Sequence, residues 1–388
     1  MNILYLGSFA IDSLVQKYPN YSLGKYRTSK FILDNLRKEA RTDVIIITSP
    51  DLPSYPSFPK FFLKGQQEDG VLMVSSLNLP FVKQIWTICS MTLHAVCCLR
   101  NKKIDWIIIP YLVFRHVATA RILKHLFPRV KICAIVPDIF FPVRGSKGYR
   151  MNRWAQRHGA QCDAFILYTE AMADFLKIKD KSYVVEEGFL DTKYFDSLMA
   201  EKEPKKDSIR RIVYSGTLMK QYGVLRLVEA MRFVSKPDVE LCLYGDGDAL
   251  NEIDQASRED HRIKYMGWAD KRTVFSALSN ATVLVNPRSE SDGDFTQFSF
   301  PSKILEYLYS GTPTVACPLS GIPPAYYDHF ILTDGSAESL AKSINIGLDM
   351  TEEERKKKGE SNRVFIRQHV GIDNQCRRIV QLLIDAKQ

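Results

Sequence analysis

Short runs of consecutive apolar residues, separated by stretches with helical spacing, recur along the whole chain. In the first half the runs are Ile3–Leu6, Val44–Thr48, Val71–Val74, Trp106–Pro110, Lys131–Val136 and Ala164–Tyr168. They are continuous rather than alternating, as parallel strands covered on both faces require. Helical patterns such as Ser29–Glu39, Pro80–Arg100 and Val117–Leu126 lie between them. The second half repeats the scheme with strands at Arg211–Tyr214, Glu240–Tyr244, Ile263–Tyr265, Thr282–Asn286, Thr314–Ala316 and Phe330–Leu332, and with helices such as Val224–Val234, Lys271–Ala277 and Lys303–Tyr309. Two successive α/β series predict two doubly wound, Rossmann-like domains, and 388 residues suit two cores better than one. A polar segment (MAEKEPKKDSIR) reads as the join. The expected organisation is a first domain over 1–198, a linker over 199–210, a second domain over 211–365, and a C-terminal helix over 366–388 that packs back on the first domain.

Charge divides the halves further. Residues 1–200 hold 27 Lys and Arg against 17 Asp and Glu, a net of +10, whereas residues 201–388 hold 26 against 27, a net of −1. One half is therefore expected to meet an anionic partner. No nucleic-acid-binding module is present, so nucleic acid is not that partner. The opening MNILYLG lacks a basic leader and reads as a first strand, not a signal peptide. The longest apolar stretch, Ile85–Leu99, has 15 residues, short of the roughly 20 that span a bilayer, and is expected as a buried core helix, with an interfacial helix in contact with a membrane as the alternative. The eight cysteines form no C-x-x-C pair and read as reduced core residues of a cytosolic protein.

In open parallel sheets, ligands bind beyond the carboxyl ends of the strands. The second-half strand at Arg211–Tyr214 runs into SGTLMKQYG, where Gly216 and Gly223 let backbone approach a ligand and Lys220 can neutralise a phosphate; a tight turn explains the glycines equally well. Asp246, Asp248, Asp292 and Asp294 could form metal pairs, but Asp–Gly is ordinary turn chemistry. The most informative segment is NPR at 286–288 followed by SFPSKILEYLYSGTPTV at 299–315. Pro301 and Gly311 punctuate a short helix. The amides around Ser302 and Lys303 would offer a positive dipole end and an ammonium to a diphosphate. Glu306, one turn further in, is suited to the two hydroxyls of a ribose, or is simply a surface glutamate.

The order NPR…FSFPSKILEYLYSGTPTVA…GIP, with YSGTLMKQYGVLRLVEAM, LCLYGDGD and IKYMGWAD before it, resembles the donor domain of GT-B glycosyltransferases, particularly glycosyltransferase family 4. Within that family the likeness is strongest to bacterial enzymes of capsule, exopolysaccharide and O-antigen assembly. It is specific over Ile212–Asp328 and only architectural in the first half. The resemblance implies two Rossmann-like domains facing a central cleft. It implies that Glu306 holds the nucleotide ribose, that Ser302 and Lys303 start the helix holding the diphosphate, that Gly216 faces the donor phosphates, and that Met266, Gly267 and Trp268 lie near the base. Two departures matter. Phe298 stands where the family often has a sugar-contacting glutamate, and Thr217 and Tyr222 stand where it often has Arg and Lys in the phosphate loop. Lys220, Lys303 or Arg288 are then expected to supply the charge, with Thr217 still at the donor, and Glu290, Asp292 or Asp294 to replace the sugar contact.

In the first half, Asp138 follows a strand end and is a candidate for hydroxyl or acceptor contact, or a helix cap. His116, the loop with Gly24 and Lys25, and the aromatic-basic segment containing Arg144 are acceptor-side candidates. The expected function is a retaining, metal-independent transferase that needs no cofactor. It would move a sugar from a nucleotide sugar, UDP ahead of GDP, to a polyprenyl-diphosphate-linked glycan. The expected location is the cytoplasmic face of an anionic membrane. A metal-dependent GT-A transferase, a GT-B sugar-nucleotide epimerase and a non-catalytic subunit partnering a transferase are the alternatives.

Overall fold

Because the apolar runs carry no polar alternation, they form strands buried from both sides. The structure, a computed structural model, describes residues 1–18, 32–38, 43–80, 82–139, 148–201 and 209–387. The chain divides into two units, Met1–Phe189 with Ile372–Gln388, and Leu190–Gly371.

Unit 1 is built on an eight-stranded sheet, with a small antiparallel pair, Phe62–Leu63 and Ser76–Leu77, beside it. From edge to edge its strands are Ser182–Val185, Ala164–Leu167, Lys131–Val136, Trp106–Pro110, Asn2–Gly7, Asp43–Thr48, Val71–Met73 and Gln66–Glu68. All neighbours are parallel except the last pair, a hairpin. The chain moves outward in one direction from Asn2–Gly7 and then restarts on its other side with Trp106–Pro110, so the topological switch point lies between those two strands. The terminal helix Ile372–Asp385 belongs to this unit: Cys376, Ile379 and Leu383 sit in its core, and Trp106 Nε1 donates to the Leu383 carbonyl at 3.1 Å. Its Arg378 grips the fully buried Glu186 carboxylate with two bonds of 2.7 and 2.6 Å.

Unit 2 has a six-stranded parallel sheet in the order Ile263–Gly267, Val239–Tyr244, Arg210–Ser215, Val283–Asn286, Thr314–Ala316, Phe330–Leu332. Numbered along the chain this is 3-2-1-4-5-6, the dinucleotide-binding order, with its switch point between Arg210–Ser215 and Val283–Asn286.

Three expectations need correction. The boundary lies at Phe189–Leu190, ahead of 198, because the helix Thr192–Ala200 packs into unit 2: the Phe195 ring meets the Phe275 ring at a tilt, centroids 4.5 Å apart, and Asp196 accepts from Tyr309 Oη at 2.7 Å. Of the expected linker, residues 202–208 lie outside the described residues. The helix Val82–Asn101 is not a core helix. Only Thr87, Met91 and Ala95 are buried, whereas Ile85 is 65% and Leu93 64% exposed. Finally, five cysteines are buried, but Cys89 and Cys97 are exposed on that same helix; all eight are free thiols.

Candidate active site

The carboxyl edge of the unit 2 sheet is stitched together by its own backbone. Gly216 N donates to Tyr244 O (3.0 Å), Gly245 N to Gly267 O (2.9 Å), and Leu218 N to Asp246 O (2.8 Å). Gly216 (φ +138°) and Gly245 (φ +134°) adopt backbone closed to other residues, and a Cβ on Gly245 would lie 1.9 Å from Gly216 O. A Cβ on Gly216 would lie 2.6 Å from Lys303 Nζ. Glycine at 216 is therefore what lets the lysine of one element lie directly over the loop of another.

Lys303 opens the helix Lys303–Ser310, and Gly311 ends it in the left-handed region (φ +81°). The first backbone bond of this turn is Ile304 N to Pro301 O, so the amides of Ser302 and Lys303 precede the bonded part of the helix. The Lys303 ammonium sits 3.8 Å from the centroid of Tyr214 and has no carboxylate partner among the described residues. Burial, and then the nearby Arg288 guanidinium, push it well below the usual lysine range. Tyr307, on the buried side of the same helix, fixes its orientation: its hydroxyl accepts from Ser215 N at 2.8 Å. Glu306 pairs with Lys271 at 3.3 Å, and the Lys271 ammonium lies 4.7 Å over the Phe195 ring.

These groups share one cleft of about 480 Å³. Of the sequence-predicted residues it brings together Gly216, Thr217, Trp268, Ser302, Lys303 and Glu306, with Asp246, which the sequence offered only as a metal candidate, and it adds Tyr244 and Lys271, which sequence reasoning did not assign. Trp268 is 78% exposed at the rim. The arrangement presents an ammonium and a helix start at one point and a carboxylate one helical turn away, with an aromatic ring free to stack.

Other predicted residues are engaged elsewhere. Lys220 is exposed, ion-paired to Glu252, and does not line the cleft. Glu290 accepts from Thr296 Oγ1 at 2.7 Å and from Ser320 N, so it ties two loops together instead of facing a sugar. Asp292 is buried against Arg226 (2.7 Å), and Asp246 accepts from Gly247 N (2.8 Å): turn and cap chemistry, not a metal pair. Arg288 is buried with its guanidinium carbon 4.0 Å from the centroid of the Tyr222 ring; it acts on the cleft through Lys303 and does not line it. Met266 and Gly267 end their strand beside the cleft without lining it.

Gly24, Lys25 and Arg144 lie outside the described residues. Asp138 is exposed just past the strand Lys131–Val136 of unit 1. His116 is fully buried, so it is not an acceptor contact. Its Nδ1 lies 2.7 Å from Pro110 O, which requires a proton on Nδ1, and burial lowers its pKa from 6.5 to about 3. A folded pKa below the unfolded one stabilises the fold fully above pH 6.5, and that contribution is lost as pH falls toward about 3. In His116→Asn, which keeps a donor but cannot titrate, the pH slope of urea-unfolding free energy should be shallower by about 1.4 kcal/mol per pH unit across that window.

Sequence reasoning missed the groups at the switch point of unit 1. Tyr111 follows Trp106–Pro110 with φ +61°, a strained conformation for an aromatic residue. Arg115 binds Asp51 (3.1 Å) and Ser8 Oγ (2.5 Å). Lys83, held down to about 8 by burial, feels both Asp51 and Arg115. Nothing in local spacing joins residues so far apart in the chain.

Several solved structures share this fold. HepE of Anabaena, solved in complex with UDP, superposes with a TM-score of 0.67 and 16% identity, covering 99% of this chain and 100% of its own. Sucrose-phosphate synthase of Thermosynechococcus elongatus gives 0.68 and 15%, covering both chains completely. An E. coli trehalose-6-phosphate structure bound with UDP-2-fluoro glucose gives 0.69 and 12%, covering 100% of this chain and 99% of that one. The fold is that of the GT-B glycosyltransferases. Residues 209–349, within unit 2, match the family model described as glycosyl transferases group 1. No curated protein matches the chain.

Proposed function

We propose that the protein is a retaining glycosyltransferase of the family 4 kind. It moves a sugar from a nucleoside-diphosphate sugar to a hydroxyl of a polyprenyl-diphosphate-linked oligosaccharide in bacterial surface polysaccharide assembly. The observation that carries the donor half of this reading is the Lys303 ammonium, without a carboxylate partner among the described residues, lying over Gly216 at the start of a helix, one turn from Glu306, in a single cleft.

The diphosphate takes the helix start, with the Ser302 and Lys303 amides and the Lys303 ammonium on its oxygens; Glu306 accepts from the ribose hydroxyls, and Trp268 stacks on the base. In the transfer the bond between the anomeric carbon and the β-phosphate oxygen breaks, its electron pair staying on the phosphate. The acceptor oxygen bonds to the same face of that carbon, and its proton passes to the departing phosphate. Negative charge grows on the diphosphate as this happens, which is where preorganised amides and Lys303 act. The chemistry needs no divalent cation, so turnover should persist in excess EDTA.

The base is proposed as uracil, supported by the UDP held in the HepE structure. Unit 1 supplies the acceptor side. With the unit boundaries in place it holds 29 Lys and Arg against 17 Asp and Glu, +12, and unit 2 is −3, which suits an acceptor carrying a diphosphate at the cytoplasmic face of a membrane. Saturating UDP should raise the melting temperature of the unit 2 transition by about 5–11 °C, as expected for a ligand near 100 times its Kd. A shift with GDP or ADP alone would reassign the base. No shift with any of the three would remove the donor site.

A further inference from the structure

The helix Val82–Asn101 presents a long apolar stripe that the described part of the protein leaves uncovered. Val82, Ile85, Trp86, Cys89, Leu93 and Cys97 recur at spacings of three and four residues, which places them along one side of the helix. All six are exposed, and Arg100 closes the line at its end; Lys83, between Val82 and Ile85 in sequence, turns its ammonium to the Leu52 carbonyl. The opposite side is the one used for packing, through Thr87, Met91 and Ala95. The stripe runs for about 23 Å from Val82 to Cys97 at 1.5 Å per residue. It is widened at Trp86, whose ring meets Phe62 edge-on at 6.3 Å; Phe62 and its neighbour Phe61 are themselves exposed. A contiguous exposed apolar surface of this length marks an interaction site.

The charges around it choose the partner. Lys60 and Lys64 flank the two phenylalanines, and Arg100, Lys102 and Lys103 follow the stripe; all five are exposed. Of these, Lys102 is shared with Asp43 at 3.2 Å. A second copy docking through the same stripe would bring these like charges together. An anionic lipid surface takes the apolar side chains below the headgroups and meets the basic rim at headgroup level, where Trp86, tethered through Nε1 to the Ser75 carbonyl at 3.1 Å, also fits. We infer that Val82–Asn101 lies in the plane of an anionic membrane, inserted by its Ile85–Leu93 side, and is the element that docks the protein. The helix does not span the bilayer, since its inner side, with Thr87, Met91 and Ala95 buried, packs against the helix Phe114–Leu126 and the strands of unit 1. This deepens the proposed function, resting on it only for why a membrane is needed.

The test is co-sedimentation of the full chain with vesicles of phosphatidylglycerol and phosphatidylcholine in equal parts. Wild-type protein should sediment at low salt, less so at high salt. The vesicles should also slow alkylation of Cys89 by a water-soluble maleimide. Ile85→Ser with Leu93→Ser should lower the bound-to-free ratio by about 100-fold, near tenfold for each side chain returned to water. The same variant should keep its circular dichroism and its UDP-induced thermal shift. Absence of wild-type binding, equal binding by the variant, or a dimer in light scattering that the variant abolishes would each overturn the assignment. Loss of the UDP shift in wild type would instead strike the donor reading and leave the vesicle result standing.

Discussion

Lys303→Met is expected to lower kcat/KM for sugar transfer by about a thousandfold, at the upper end of what removing one preorganised charge at an oxyanion costs. Two further signs separate this from a structural effect. The ammonium has no carboxylate partner among the described residues and is pushed down by burial, so in the free protein it is a liability. Methionine keeps the aliphatic stem against Tyr214 and removes the charge, so the variant should unfold at a higher temperature than wild type while losing activity. The second sign is protonic. A diphosphate restores the charged form that burial and Arg288 disfavour, so donor binding takes up a proton wherever the free lysine is partly neutral. Affinity should therefore fall as pH rises through the range between the free and the donor-bound pKa. Calorimetry in buffers of different ionisation enthalpy reads this directly, and Lys303→Met should bind with no such uptake. Lys303→Arg, always charged, should lose the pH dependence but keep part of the affinity.

Glu306→Ala is expected to weaken UDP binding by about 100-fold, the sum of two hydrogen bonds to a charged acceptor, with a smaller effect on the rate of bound donor. It also strands Lys271, whose carboxylate partner at 3.3 Å is lost, so part of the penalty comes from that ammonium. The ribose assignment is separable from that side effect. Wild type should bind UDP far more tightly than 2′,3′-dideoxy-UDP, and Glu306→Ala should bind the two alike. A variant that still distinguishes them would move the ribose away from Glu306.

Much of this site was legible because it is local. Pro301 and Gly311 bracket one helix, and Gly216 follows one strand. The spacing from Ser302 to Glu306 is a helical turn that any amphipathic reading recovers. What could not be read depends on contacts between distant segments. The Lys271–Glu306 pair joins two helices, and Glu290 looked like a free acid until its bond to Thr296 and Ser320 fixed it as a loop tie. Arg288 looked like a phosphate ligand but is buried over the Tyr222 ring. The helix Val82–Asn101 misled for a different reason. Its apolar residues occur nearly all round the axis, so periodicity could not say which side was packed, and the packed side turned out to be the one with Thr87 and Ala95. The domain boundary was misplaced because polarity marks a flexible-looking join, whereas the division follows the aromatic side chains of Thr192–Ala200 into the second core.

The central claim is that the unit 2 cleft holds a nucleoside diphosphate by its helix start and its glutamate. The most direct measurement is a crystal structure of the full chain with UDP. The account predicts the diphosphate oxygens within hydrogen-bond reach of the Ser302 and Lys303 amides and of Lys303 Nζ, and the ribose hydroxyls on Glu306. A nucleotide bound away from Lys303, or a cleft that stays empty at saturating UDP, GDP and ADP, would contradict it.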